Sequence, residues 1–428
     1  MTPLSRTAPA TRTLLVISPD YASHLYPLAT LATAWKQAGH RVVVATGPAT
    51  ASIVEEFGFE RVNLQLGKGS NPGTIRAEDQ PKGEDDALRG FFDATRLGMI
   101  ETLEYQAEAR LSDLMWEPVR VGREVQAVVE SVAPDQILVD HLAFSARLAL
   151  AAAAVPYADV VLGHPSALPV DGELYGFPPA WPAAFTPTPA ELERLRELCE
   201  RVDASFTAEW NAALAELDPA AEPSRSAFAE HGSTLFFNYP AELAEPRDGV
   251  FLGSSVRSEP SDDEVEAWLA ASDEPFVYVS FGSFLSVRDD VLQRVADALA
   301  ALGVRAAIAT GAGHIDAPEG WLVRGFLPQV RLLDRAAAAV THGGNNSVTE
   351  AMTAGVPLVV LPFSTDQFAG AAAIERSGFG VALAPNTATV QQLQDAVTAA
   401  MAIGPLPIGE SLQSRPGAQR AYESLAAL

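Results

Sequence analysis

One short stretch of this chain leaves few folds open. Ala336 to Val340 is an unbroken apolar run, and a glycine-bearing turn follows it. Val348, Ala351 and Met352 then recur on one helical face as far as Gly355, and Val356 to Leu361 is apolar again. Continuous apolar runs of strand length read as strands buried on both faces, and the helical period between them reads as a crossover. Gly355 is placed to stop that helix. Strand, turn, helix and strand in this order imply parallel pairing in an α/β sheet.

The turn itself, Thr341 to Glu350 (THGGNNSVTE), has the makings of an anion cradle. Free backbone N–H groups and the positive end of the helix dipole converge where the helix begins. Gly343 and Gly344 would let a ligand approach the backbone closely. His342 can add a donor, and Asn346 and Ser347 supply polar side chains, so a diphosphate fits. A plainer reading covers part of this: Ser347 and Glu350 have the spacing of a capping box. A cap accounts for neither His342 nor the paired glycines, and the segment as a whole favours a ligand.

The same alternation extends over the chain. Thr13 to Ile17 reads as a strand, Ser18 to Ser23 as a loop, His24 to Ala38 as a helix stopped by Gly39, and Arg41 to Ala45 as the next strand. Ile137 to Val139, Ala158 to Leu162 and Phe236 to Tyr239 continue that sheet, with a helix from Ala143 to Ala154. Phe276 to Ser280, Arg305 to Ala309, Leu322 to Arg324, Ala337 to Val340, Leu358 to Leu361 and Gly380 to Leu383 read as a second set, followed by a helix near the C-terminus. With 428 residues, two domains of about 200 residues are expected. The expected division is an N-terminal domain over 1–238, a Pro-, Glu- and Ser-rich linker over 239–263 and a C-terminal domain over 264–428. Two facing, doubly wound, Rossmann-like α/β domains follow, with the ligand at the strand C-termini. Gly67 to Asp93 and the proline-broken stretch His164 to Pro189 read as irregular segments that wall a pocket.

Charge narrows the partners. Against 29 basic residues stand 54 acidic ones, a net charge of −25. A surface so acidic argues against nucleic acid or an anionic membrane, and an anionic ligand would need a local cradle. Cys199 is the single cysteine, which excludes a disulfide framework and fits a reducing cytoplasm. The apolar run Leu14 to Ile17 is too short for a signal-peptide core, and Leu142 to Leu162 is interrupted by Arg147, Pro156 and Asp159, so no span of roughly 20 residues is expected. A homodimer stays open, because the sequence does not set the oligomeric state.

Several chemistries lack their signatures. Gly311-Ala-Gly313 follows a strand, but Asp316 stands where a dinucleotide fingerprint needs Gly or Ala, and the first strand-to-helix turn has no glycine. There is no Walker A run. No histidine pair has helical metal-ligand spacing, so neither metal nor cofactor is expected.

The motifs that remain carry a resemblance. SFGS (Ser280 to Ser283), GFLPQ (Gly325 to Gln329), HGGNNSVTEAMTAGVP (His342 to Pro357) and Asp366-Gln367 resemble, in order and spacing, the donor domain of inverting nucleotide-sugar-dependent glycosyltransferases of GT-B architecture. The likeness is to the family-one enzymes that glycosylate small molecules in plants and in bacterial secondary metabolism, antibiotic biosynthesis included. His24-x-x-Pro27, Gly39-His40 and Pro134-Asp135 with Asp140 extend it more thinly into the first half.

That resemblance implies roles. Phe326 would stack on the nucleobase where the family often has tryptophan, and Gln329 and Glu350 would hold ribose hydroxyls. Ser283, His342, Gly344, Asn346 and Ser347 would hold the diphosphate, with Gly343 in the same turn, and Asp366 and Gln367 the sugar hydroxyls. Asn345 also stands where plant members carry tryptophan. Taken by themselves, Phe326 could be core and Asp366 a helix cap.

Inverting transfer also needs a base for the acceptor hydroxyl. His24 opens the first helix beside the first strand's C-terminal edge, and a helix N-terminus would keep its ring neutral. Asp140, at the end of a strand in the same sheet, matches the family's partner aspartate and would fix the tautomer. Plain alternatives are a solvated helix position for His24 and a cap for Asp140; His141 and Asp135 are substitutes. Ser23 stands where many bacterial relatives have glycine. The expected enzyme is a hexosyl or deoxyhexosyl transferase, inverting and metal-independent, using a UDP- or dTDP-sugar and a small, largely apolar acceptor. A nucleotide-sugar epimerase or hydrolase, and a non-catalytic auxiliary partner of another transferase, are the alternatives.

Overall fold

The structure is a computed structural model, and it describes residues 11–73, 84–111, 114–170, 172–285 and 287–427. Its first sheet has seven parallel strands: β1 (Thr13–Ile17), β2 (Arg41–Thr46), β3 (Glu60–Asn63), β4 (Gln136–Asp140), β5 (Ala158–Val161), β6 (Thr234–Phe237) and β7 (Val250–Phe251). They lie in the order β3-β2-β1-β4-β5-β6-β7. Six more form the second sheet: β8 (Phe276–Ser280), β9 (Arg305–Ala309), β10 (Leu322–Arg324), β11 (Ala338–Thr341), β12 (Leu358–Val360) and β13 (Gly380–Ala382), ordered β10-β9-β8-β11-β12-β13. In both, the central strands are apolar on both faces because helices cover both faces.

Each sheet reverses direction once. β1 pairs with β2 on one side and β4 on the other, and β8 with β9 and β11. Connections therefore leave these strands toward opposite edges, which opens a crevice at the C-terminal ends of β1/β4 and of β8/β11. Those two crevices are where the site forms.

The first sheet is sandwiched between the helices Ala22–Gln37 and Gly417–Ala426 on one face and Pro118–Val132 and Phe144–Ala152 on the other. The C-terminal helix thus belongs spatially with the front lobe. Tyr422 meets the Trp35 ring edge-on at 5.3 Å, and Gln136 Nε2 donates to Leu425 O at 2.8 Å. The second sheet is packed by Asp289–Leu302 and Val390–Ile403 on one face and by Asn345–Ala354 and Gln367–Ser377 on the other.

Three sequence expectations change. Glu60–Asn63 and Val250–Phe251 are edge strands with no apolar run to announce them, and the second lies within the stretch expected to link the lobes. Part of the segment expected to be irregular from Gly67 to Asp93 is the helix Glu84–Leu97, while 74–83 lie outside the described residues. Its Thr95 carbonyl accepts from Arg288 Nη1 (2.9 Å) and Asn386 Nδ2 (3.0 Å) of the rear lobe, so the helix is held by tertiary contacts that local composition does not reveal. The other wall, His164 to Pro189, stays largely irregular. It crosses to the rear lobe, where Phe185 packs edge-on against Phe368 at 5.2 Å and Ala183 N donates to Glu375 Oε2 at 2.9 Å. Among the described residues no helix is long and apolar enough to cross a membrane.

Candidate active site

The front crevice brings His24 and Asp140 together. The helix Ala22–Gln37 starts just after β1 and places His24 in its first turn, while Asp140 is the last residue of β4. His24 Nδ1 and Asp140 Oδ2 are 2.8 Å apart, with 26% of the His24 side chain exposed and 1% of Asp140. Asp140 Oδ1 accepts from Leu142 N at 2.8 Å, which fixes the carboxylate plane. Nδ1 being committed to Asp140, Nε2 is the ring nitrogen left for chemistry.

The direction of its pKa shift is opposite to the one a helix N-terminus alone would give. Burial disfavours the imidazolium, yet the Asp140 charge and hydrogen bond, helped by the Asp366 carboxylate from the other lobe, outweigh it and hold the His24 pKa above its usual 6.5. A carboxylate in direct contact dominates the partial charge of a helix terminus. Asp366 reaching His24 electrostatically also places the two crevices opposite one another.

His141 and Asp135 turn out to be structural. His141 Nδ1 lies 3.2 Å from Asp159 Oδ1, in a buried group with Arg147, and Asp135 Oδ2 accepts from Thr13 N at 2.7 Å.

At the rear crevice, β11 ends in Thr341 and the helix Asn345–Ala354 begins after Gly344, with no side chain capping its first turn. Ser347 is inside the helix rather than at its cap, so the capping-box reading fails. Gly355 ends the helix at φ 71°, as its position implied. The paired glycines are also required by packing within the protein. A Cβ on Gly344 would run into His342 Nε2, one on Gly282 would lie 2.8 Å from His342 Cε1, and one on Gly343 (φ +86°) 2.8 Å from Val360 Cγ1. They make room for the histidine ring and for the sheet. Burial pushes the His342 pKa down to about 4, against a smaller opposing effect of the Ser280 backbone, so the ring is neutral at neutral pH.

Glu350 is buried, 5% exposed. Its Oε1 accepts from Arg257 Nη1 at 3.1 Å and its Oε2 from Gln329 Nε2 at 2.5 Å; Ser347 Oγ donates to Gln329 Oε1 at 3.3 Å. Burial raises the Glu350 pKa, with Arg257 and Gln329 acting in the opposite direction. Phe326 is 69% exposed, so it is not core and its face is open to a ligand.

Asp366 does not cap its helix: Oδ2 accepts from His164 N of the front lobe at 2.6 Å and Oδ1 from Thr365 Oγ1 at 3.0 Å. The Gln367 carboxamide is hydrogen-bonded within its own turn. Its Oε1 accepts from Phe363 N and Ser364 N, and its Nε2 donates to Ser364 Oγ, so it braces its own turn. The Ser283 side chain lies outside the described residues.

Two contacts across the lobes were not anticipated. Asn345 Nδ2 donates to Leu162 O (2.5 Å) and Asn238 O (3.0 Å), which gives this residue an interlobe role. Asn346 Nδ2 donates to Ser23 O at 2.9 Å. That carbonyl would accept from residue 27 in a regular helix, but Pro27 has no N–H. The proline frees the acceptor beside His24, and the cradle helix uses it. The His24-x-x-Pro27 spacing carried this signal.

Fold and site define a two-lobed α/β protein of GT-B architecture, with a histidine–aspartate pair facing a helix N-terminus. Residues 233–403, a range that takes in the second sheet and the last two strands of the first, match the family model for UDP-glucoronosyl and UDP-glucosyl transferase. Zeaxanthin glucosyltransferase of Pseudescherichia vulneris is 26% identical over 85% of this chain and 84% of its own. Against the Bacillus subtilis UDP-glucosyltransferases YojK and YdhE the match spans less than half of either protein, 46% and 38%. Among solved structures, spinosyn forosaminyltransferase SpnP superposes with a TM-score of 0.67 at 18% identity, over 98% of this chain and 100% of that one. Spinosyn rhamnosyltransferase SpnG complexed with thymidine diphosphate gives 0.64 at 18%, over 97% and 100%.

Proposed function

We propose that this chain is an inverting glycosyltransferase that moves a sugar from a UDP- or dTDP-sugar to a hydroxyl of a small, largely apolar natural product. One observation carries the reading: the 2.8 Å His24–Asp140 pair sits at the front switch point, facing the uncapped helix N-terminus at the rear one. The relatives support it at a coarser level. One is named as a zeaxanthin glucosyltransferase, and another is a rhamnosyltransferase structure complexed with thymidine diphosphate.

In this reading the acceptor hydroxyl lies at His24 Nε2 and loses its proton there as it attacks the anomeric carbon. Asp140 stabilises the imidazolium that forms, and the raised pKa reflects that stabilisation. The diphosphate leaves into the first turn of Asn345–Ala354. Backbone N–H groups, the helix dipole and the neutral His342 donor meet the growing negative charge there, so the cradle needs no metal to do so. Phe326 stacks on the base, Glu350 takes ribose hydroxyls, and Asp366 takes a sugar hydroxyl beside His24.

A panel of nucleoside diphosphates and nucleotide sugars, read by thermal shift, identifies the donor, and an acceptor screen follows. His24→Ala should then lose about 10²-fold or more in turnover with donor affinity nearly unchanged. Undiminished turnover removes His24 from the mechanism, and donor consumption without acceptor favours a hydrolase or epimerase instead.

A further inference from the structure

The linker residue Arg257 has no part in the roles assigned so far, yet it is one of the more enclosed cations of the molecule. Its side chain is 18% exposed and ties two helices, one from each lobe, to its own linker. Nη2 pairs with Glu259 Oε1 at 2.6 Å, Nη1 with Glu350 Oε1 at 3.1 Å, and the guanidinium lies 5.1 Å from the centre of the Tyr26 ring, two residues beyond His24. Gln329 holds the other Glu350 oxygen.

We propose that Arg257 is a positioning residue for the nucleotide: it keeps the Glu350 carboxylate charged and oriented so that its remaining lone pairs accept from ribose hydroxyls. The inference rests on the nucleotide-sugar reading above. A carboxylate has room for about four hydrogen bonds across its two oxygens, and Arg257 and Gln329 take one on each. What remains points away from both partners, with the plane of the group held between them. A neutral acid would keep a proton on one oxygen and lose acceptor capacity there.

The environment makes the arginine necessary. Glu350 is surrounded by Tyr278 of β8, the Gln329 amide, Glu259 on the linker and, behind Arg257, the Tyr26 ring. Arg257 is the cation in that group, and Glu259 works against the charge on Glu350. Burial disfavours an isolated carboxylate strongly, and such a group neutralises rather than stay charged. Removing Arg257 takes away the largest influence that lowers the Glu350 pKa, so the protonated form of Glu350 persists to higher pH than in the wild-type chain.

The test uses UDP and dTDP as probes, taking whichever the wild-type chain binds more tightly. Dissociation constants are measured by calorimetry for wild type and Arg257→Gln from about pH 6 to about pH 9, and the variant-to-wild-type ratio is plotted. Titration of the diphosphate and of His24 affects both proteins and cancels in that ratio. The expected result is binding about tenfold weaker in R257Q at the acid end, recovering toward the alkaline end as Glu350 ionises. Arg257→Lys, which retains the cation, should flatten the ratio again, and the double variant R257Q/E350Q should show no recovery. Equal affinity at all pH values, or a loss constant with pH, overturns the proposal. If R257Q does not fold, E350Q alone decides: UDP or dTDP binding must be about tenfold weaker without alkaline recovery, and unchanged binding overturns the proposal. Wild-type protein that binds neither probe refutes the nucleotide reading itself, a result distinct from tight wild-type binding with an unaffected variant.

Discussion

Replacing Asp140 by Asn separates the two contributions of this carboxylate. The substitution keeps the shape, and the carboxamide can still meet Leu142 N, which now lies 2.8 Å from Oδ1. It removes a negative charge 2.8 Å from His24 Nδ1. Burial of the ring is unchanged while the largest opposing influence disappears, so the His24 pKa must fall from its raised position. The base form of His24 is the active one, so kcat/KM rises with pH through that pKa, and the acidic limb should move to lower pH in D140N. The plateau should drop at the same time. An imidazolium without its counter-charge is costlier in the transition state, and an amide that donates toward Nδ1 holds the wrong tautomer. Loss of effective general-base catalysis is worth about 10²- to 10⁴-fold in kcat, or roughly 3–5 kcal/mol. Initial rates at saturating donor and varied acceptor across pH, which give both kcat and kcat/KM, supply the assay alongside nucleoside diphosphate affinity. A lowered plateau with an unmoved acidic limb would mean that another group titrates, and an intact plateau would mean that the pair is structural.

Two further outcomes follow from the rear crevice. Phe326→Ala should weaken UDP or dTDP binding by about 1–3 kcal/mol, the usual worth of base stacking, with no loss of melting temperature, because the ring is 69% exposed; calorimetry and thermal denaturation check the two halves separately. His342 should make the fold acid-sensitive. Its folded pKa is about 4 against 6.5 unfolded, so the unfolded chain binds more protons below about 6.5 and stability falls as pH drops toward 4, by up to about 3 kcal/mol. His342→Gln should show a shallower decline of melting temperature over that window, and an identical decline would assign the sensitivity to other groups.

The two sheets were legible because their central strands are apolar on both faces, a pattern hard to mistake once helical periods intervene. What escaped has identifiable physical causes. Glu60–Asn63 is an edge strand of mostly exposed polar residues, and Arg41 and Glu60 pair across it on the surface. Glu84–Leu97 is pinned by a buried arginine far away in sequence, at position 288. Within the site, the cradle helix could be placed from strand ends and turn composition, and His24 and Asp140 from strand ends together with the family resemblance. The packing that also requires glycine in that cradle was not legible, because the His342 ring and Val360 that an added Cβ would meet are brought there by the fold. Gln367 shows the same limit: its motif position is clear, but only the fold reveals that its carboxamide closes on Phe363 and Ser364. The Arg257–Glu350 pair joins residues from linker and helix that no local pattern connects.

A structure with UDP or dTDP bound is the most direct measurement of whether the rear lobe grips a leaving group opposite the His24 base. The account predicts phosphate oxygens within about 3.2 Å of His342 Nε2 and of the first-turn N–H groups of Asn345–Ala354, the base on Phe326, the ribose at Glu350, and His24 Nε2 facing the distal phosphate. A nucleotide bound elsewhere, or a His24 ring turned out of the crevice, would contradict it.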